Sequence, residues 1–204
     1  MNFLFTFNRK IADTIFVPFL LKTPLRPNHV TALSLVSGLL AGFAMSSGSR
    51  LGLLWGAFFL QLSFILDNSD GTIARLKNLR SDLGMWFDLI ADVCVDMAVW
   101  AGLACGAVSQ GEPARIAWGL FAAAAAGSFI HFGFVIQGRL KGKTGKETSG
   151  DPNPFLAAVH VLGHDGDPSL LFWVAALILQ PFQILLLGAV YIHFLWILSR
   201  RFGL

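Results

Sequence analysis

Apolar residues run through this chain in long blocks, and polar residues collect in the short gaps between them. Residues 29–48, 52–75, 83–108, 116–138 and 169–199 form five such blocks. A membrane-spanning helix needs about 20 mainly apolar residues. The last block is too long for one span, and Gln180-Pro181 sits near its middle, where proline removes a backbone donor and breaks the ladder. Splitting it into 167–180 and 182–199 predicts six transmembrane helices. Ahead of them, Leu4, Phe7, Ile11 and Ile15 recur at three- and four-residue steps, with Asn8, Arg9, Asp13 and Thr14 between. That pattern predicts an N-terminal amphipathic helix on the membrane surface, ended by Pro18, Pro24 and Pro27. It is a poor secretory signal, because Arg9, Lys10 and Asp13 interrupt it and no small-residue cleavage site follows.

Composition agrees with the pattern. Hydrophobic residues make up 55% of the 204 residues and charged residues 13%, against about 25% charged in soluble domains. Mean hydropathy is +0.65. Such a chain has too little polar surface for a water-soluble globule. The expected fold class is an all-α polytopic membrane protein, one domain over 1–204, with a juxtamembrane helix in 1–25 and a six-helix core in 26–204. Cys94 and Cys105 share one apolar block and read as buried small apolar residues, not a disulfide or metal pair.

Charge tests the helix count. With six helices, Arg9, Lys10, Lys22, Arg26, Arg75, Lys77, Arg80, Arg139, Lys141, Lys143, Lys146, Arg200 and Arg201 fall on one side, leaving only Arg50 and Arg115 opposite. That asymmetry is a positive-inside signal, and five helices would weaken it. Both termini and the polar ends near Asp67 are therefore expected to be cytoplasmic, in an inner or plasma membrane. Residues 139–168 form the one long loop, Gly-, Lys- and Pro-rich at first and apolar from Phe155 to Leu162.

The chemistry gathers in 67–92. Asp67 and Asp70 are three apart and share a helix face; Gly84, Asp88 and Asp92 step by four and share another. The two spans are joined by a short loop, so they are expected to be antiparallel neighbours whose four carboxylates converge. Such a cluster repels itself at low dielectric, and intramembrane acids mark functional sites. Arg75 alone cannot neutralise four charges, whereas one or two divalent cations can, and carboxylates suit Mg²⁺ or Mn²⁺. Metals held so could also grip a pyrophosphate. Gly71 and Gly84 clear space for a bulky ligand, and Arg75 can fork onto a phosphate. Solvated helix-end charges are a poorer explanation, because Asp88 and Asp92 lie one and two turns into an apolar run.

The stretch Asp67-Asn68-Ser69-Asp70-Gly71-Thr72-Ile73-Ala74-Arg75, then Gly84, Asp88 and Asp92, resembles the complete D-x-x-D-G-x-x-A-R-x8-G-x3-D-x3-D signature of the CDP-alcohol phosphotransferases, also called CDP-alcohol phosphatidyltransferases. The resemblance implies a dimeric six-helix fold and a dinuclear site from Asp67, Asp70 and Asp88, with Asp92 near the second ion. It implies that Asp92 deprotonates an acceptor hydroxyl, which attacks phosphorus as CMP leaves. Asp67, Gly71, Ala74, Arg75 and Gly84 would line the CDP pocket. Pro27-Asn28-His29-Val30-Thr31 is similar to a nucleotide-side segment, which adds Asn28, Val30 and Thr31, and Ser81 matches a hydroxyl position near the donor phosphates. The implied partners are a CDP-linked donor, an alcohol acceptor, the bilayer and a second copy of the chain, with no nucleic acid. The donor is either CDP-diacylglycerol, the reading favoured by resemblance and pointing to phospholipid synthesis, or a soluble CDP-headgroup with a lipid or polyol acceptor.

Outside the signature several readings stay open. Asp96, one turn beyond Asp92, shapes an acceptor pocket or is internally paired. His131 faces the cavity or a neighbouring helix. His160 and His164 have helical metal-ligand spacing, but Gly163 intervenes; Gly163 to Asp167 reads better as a polar turn that could contact an acceptor. His29 reads as interfacial. Arg139, Lys141, Lys143 and Lys146 serve topology and anionic lipid, or an acceptor phosphate. Two remote alternatives are a membrane prenyltransferase, which needs a second separated Asp-rich motif, and a divalent-cation transporter, whose path should avoid Arg75.

Overall fold

The computed structural model describes residues 8–142 and 169–202. Every regular element among them is helical. A π-helical stretch Ala12–Phe16 leads into α1 (Val17–Leu21). Then follow α2 (Pro27–Met45), α3 (Arg50–Leu76), α4 (Asp82–Ser109), α5 (Ala114–Gly142), α6 (Ser169–Ile178) and α7 (Pro181–Phe202). By length and composition α2, α3 and α4 are long and apolar enough to cross a membrane, and Ala114–Ile130 and Pro181–Phe194 are shorter apolar stretches. The break expected at Gln180-Pro181 separates α6 from α7, with Pro181 opening the new helix, where its missing N–H costs nothing.

Local sequence explains the starts. Pro27 opens α2 after the extended Arg26, and His29 Nδ1 accepts the Arg26 N–H at 3.3 Å. Ser49 and Ser81 cap α3 and α4 by accepting the N–H of Gly52 and Gly84, each at 3.0 Å, the usual role of a serine at this position. Gly48 turns the chain at φ 68°, and a Cβ there would meet Gly106 O at 2.5 Å. Only glycine suits both demands.

The N-terminal helix differs from expectation in face and length. Asn8, Ala12, Val17 and Leu20 are buried, while Ile15 is exposed; Leu4 and Phe7 lie outside the described residues. The step from Ala12 to Val17 is five residues because Val17 N–H reaches Ala12 O, and this π turn shifts the phase. Pro18 does not end the helix, which continues to Leu21. The widened turn before it leaves room for the proline ring. Val17 and Leu20 pack with Val30, Leu66 and Ile73, and Gln61 Nε2 donates to Asn8 Oδ1.

The second difference concerns the pair carrying the acids. α2 packs broadly against both α3 and α4, whereas α3 and α4 hardly touch each other. They are not direct neighbours, because α2 is wedged between them. Its small residues allow this: a Cβ on Gly42 would lie 2.2 Å from Ala98 O, and one on Gly102 2.1 Å from Gly42 O, so the backbones of α2 and α4 meet. α5 and α7 pack on α4 and on each other, and α6 packs on α3. The main core joins Ala41, Met45, Leu53, Leu60, Leu103 and Leu185. Cys94 and Cys105 are free, as expected, but Cys94 is exposed and Cys105 only half-buried. The expectation of two buried thiols is thus not met, because the described helices leave these faces of α4 only partly covered.

Arg50, which the six-helix reading sets opposite the main basic cluster, has a structural use. Its Nη1 donates to Ala176 O and Leu179 O, both at 2.8 Å, carbonyls that the break before Pro181 leaves without helical donors. Arg50→Met is expected to destabilise the protein by about 1–2 kcal/mol, read as a lower thermal midpoint in detergent. An unchanged midpoint would show that water serves these carbonyls equally well.

Candidate active site

α3, which runs to Leu76, delivers Asp67 and Asp70 from its last turns, and α4 delivers Asp88 after its first turn. One carboxylate oxygen from each lies within 4.8 Å of the others. Asp70 is buried; Asp67 and Asp88 are half-buried. Asp92, the next turn of α4, is exposed and close enough for its charge to act on Asp67. The fourfold convergence expected from spacing is thus met as a tight set of three with the fourth beside it. Because α3 and α4 are held apart by α2, these side chains reach across a gap rather than a packed seam.

The donor set is all carboxylate oxygen, drawn from two helices, with Arg75 the basic group acting on Asp70. Hard divalent ions such as Mg²⁺ and Mn²⁺ fit such a set; softer metals that prefer sulfur or imidazole do not.

Three segments meet beside this set. A Cβ on Gly84 would lie 3.1 Å from both Asn28 Oδ1 and Ser81 Oγ. The start of α2, the α3–α4 connection and the first turn of α4 therefore converge, and a side chain at 84 would fill the space. Gly71 is different: a Cβ there would meet only Arg75 Nη1, at 3.5 Å, so it leaves an open surface below the arginine. Ala74 is half-buried. Val30 is fully buried among Val17, Leu20, Leu66 and Ile73, so its side chain belongs to the core and offers no surface to a donor. Thr31 is also buried, with its hydroxyl turned to Asp70 Oδ2.

Two arrangements escaped the sequence reading. Arg75 Nη2 donates to Thr72 Oγ1 at 2.8 Å, and Thr72 Oγ1 lies 3.1 Å from Asp13 Oδ1. The N-terminal helix thus reaches the arginine through one hydroxyl. The second is a set of hydroxyls between α2 and α3. Ser34 and Ser63 each donate to the other's carbonyl at 2.9 Å, and Ser37 donates to Phe59 O at 2.7 Å. Serines in apolar helices give no pattern in sequence that marks them as paired.

Of the residues left open, Asp96 is exposed among the described residues and has Ser128 as a hydrogen-bond partner, and Ser128 Oγ also accepts from Trp100 Nε1 at 3.3 Å. His29 serves the start of α2. His131, Arg139 and Lys141 belong to α5. Lys143, Lys146, His160, His164 and the Gly163–Asp167 turn lie outside the described residues.

The sequence profile of the CDP-alcohol phosphatidyltransferase family matches residues 25–163. A bifunctional IPC transferase and DIPP synthase of Rubrobacter xylanophilus is 39% identical over 88 residues, covering 43% of this chain and 20% of that protein. The CDP-diacylglycerol–serine O-phosphatidyltransferase of Helicobacter pylori is 40% identical over 67 residues, covering 33% of this chain and 27% of that protein. The matches thus span about a quarter or less of these relatives. Among solved structures, the phosphatidylinositol phosphate synthase of Mycobacterium tuberculosis, crystallised with CDP-DAG bound, superposes with a TM-score of 0.51 over 93% of both chains at 20% identity. At that identity the likeness is one of fold.

Proposed function

The chain belongs to the CDP-alcohol phosphatidyltransferase family, and from that premise we propose that it transfers a substituted phosphate from a CDP-linked donor to an alcohol, releasing CMP. The observation that carries this reading is the set of three carboxylates within 4.8 Å, adjoining the space left by Gly84 between Asn28 and Ser81. Asp67, Asp70 and Asp88 would hold one or two Mg²⁺ or Mn²⁺ ions, with Asp92 beside the second. When bound, the metal supplies charge neutralisation for a diphosphate and polarises its phosphorus.

The chain's own residues supply the rest. Gly71 and Gly84 leave room for the CDP moiety, and Asn28, Ser81 and Arg75 offer hydrogen bonds at its rim. Asp92 is the signature acid furthest along α4, one turn beyond Asp88, so it meets an acceptor on the far side of the set from the nucleotide. There it accepts the hydroxyl proton as the acceptor oxygen bonds to the transferred phosphorus and the bond to CMP breaks. The donor reading favoured is CDP-diacylglycerol, in line with the name of the Helicobacter pylori relative, a CDP-diacylglycerol–serine O-phosphatidyltransferase, and the ligand of the Mycobacterium tuberculosis structure. A soluble CDP-headgroup donor is the alternative. The membrane arrangement proposed has six spans, the N-terminal helix at the interface, both termini and the site cytoplasmic, and two copies of the chain.

Purified protein given Mg²⁺ or Mn²⁺ and a panel of CDP-donors and alcohols tests this by mass-spectrometric detection of CMP. CMP from CDP-diacylglycerol plus an alcohol, lost on chelation, is expected. CMP only from a CDP-headgroup would favour the alternative, and none from any donor would end the reading.

The Asp13–Thr72–Arg75 relay adds a prediction. Asp13→Ala frees one end of the relay, and the exposed Arg9–Asp13 pair at 3.9 Å contributes little. The donor KM is expected to rise about three- to tenfold, equivalent to one net hydrogen bond, with kcat little changed. Unchanged steady-state kinetics would remove Asp13 from the donor site.

A further inference from the structure

We infer that Thr31 is a positioning residue for the metal centre: it fixes the rotation of the Asp70 carboxylate from a different helix. This rests on the reading of Asp70 as a metal ligand. Thr31 is 3% exposed, and Asp70 is 6% exposed. The Thr31 hydroxyl faces two acceptors, Asp70 Oδ2 and its own helix's Pro27 O at 3.2 Å. It has one proton. The carboxylate is the closer and the charged acceptor, so the proton goes there.

The bond is well placed because α2 cannot slide. Ser34–Ser63 and Ser37–Phe59 fix its register on α3. The backbone contacts at Gly42 and Gly102 fix it on α4. Thr31 is the last rung of this series of hydroxyls, four residues from Pro27 at the start of the helix. α2 therefore carries no acid, yet it sets where one oxygen of Asp70 points and leaves the other for a cation. Groups that orient ligands in this way change metal affinity by about 10–100-fold when removed. The role also explains why a hydroxyl in the nucleotide-side segment is buried: its proton is committed to the protein.

Mn²⁺ binding to the purified full chain in detergent, followed by electron paramagnetic resonance without any donor, tests the role apart from turnover. Thr31→Val keeps the shape and is expected to weaken Mn²⁺ binding at least tenfold. Thr31→Ser, which keeps the hydroxyl, is expected to bind within about twofold of wild type, a rescue that a packing role does not predict. Wild-type affinity in Thr31→Val would overturn the inference while leaving the metal site intact, and so would a serine variant as weak as the valine one. No Mn²⁺ binding by wild type would instead overturn the metal reading itself, and the inference with it. Should Thr31→Val fail to fold, as judged by its thermal midpoint, Thr31→Ala carries the same comparison.

Discussion

Asp88→Asn is expected to lower CMP release at least about a thousandfold, some 4 kcal/mol of barrier, and to remove most Mn²⁺ binding. Asp67 and Asp70 both belong to α3, so Asp88 is the member of the tight set that brings α4 into it. α3 and α4 barely touch, but α2 packs on both and holds them in place, so the charge on Asp88 serves the cation and not the packing. Asparagine keeps the size and one oxygen but removes the charge that offsets a divalent ion. The variant should therefore fold normally and fail in binding. Asp82→Asn, in the first turn of the same helix, is expected to turn over within about twofold of wild type, because a surface charge at a helix start has a small effect. Mn²⁺ titration and CMP release together check both. Normal turnover in Asp88→Asn would remove the metal from the mechanism.

The largest effect on stability is expected at Gly102. A Cβ there would sit 2.1 Å from Gly42 O and under 3 Å from Gly42 C and Cα. These are backbone atoms, so no rotamer change can relieve the clash, and α2 and α4 must separate. Gly102→Val is expected to cost about 3 kcal/mol or more, with a sharply lower thermal midpoint or loss of folded protein. Gly119→Val is the control: a Cβ there meets nothing within 4 Å, and its midpoint should stay close to wild type. In any Gly102→Val protein that folds, Mn²⁺ binding should weaken too, because α4 moves with Asp88. Equal midpoints for the two variants would mean that the α2–α4 contact is looser than the backbone distances imply.

The acids were legible in the sequence because helical spacing turns position into face. Asp67 with Asp70, and Gly84 with Asp88, follow from steps of three and four without knowledge of the fold. The break at Gln180-Pro181 was legible for the same local reason. What lay hidden needed the third dimension. A short connection between two helices argues that they are neighbours, yet α2 intervenes, and nothing local in Gly42 or Gly102 announces that they touch. The serines of α2 and α3 read as ordinary small residues until their partners are known. At the N-terminus, one π turn displaced the buried stripe from Ile11 and Ile15 to Ala12 and Val17, a phase shift that a 3.6-residue template cannot anticipate. The side chain of Val30, grouped with a ligand segment by likeness, packs among Val17, Leu20, Leu66 and Ile73, partners that come from elements distant in sequence.

The wedge of α2 between α3 and α4 has a consequence for biogenesis. All four aspartates, Thr31 and the glycine contacts that register them fall within residues 27–109, one unbroken stretch. During synthesis, earlier segments are the first to become available for folding, so the ribosome finishes every part of this centre before α5 begins. The later helices α5 and α7 then pack on α4, the helix that carries Asp88 and Asp92, so they can reach the centre only through α4 and contribute no acid of their own to it.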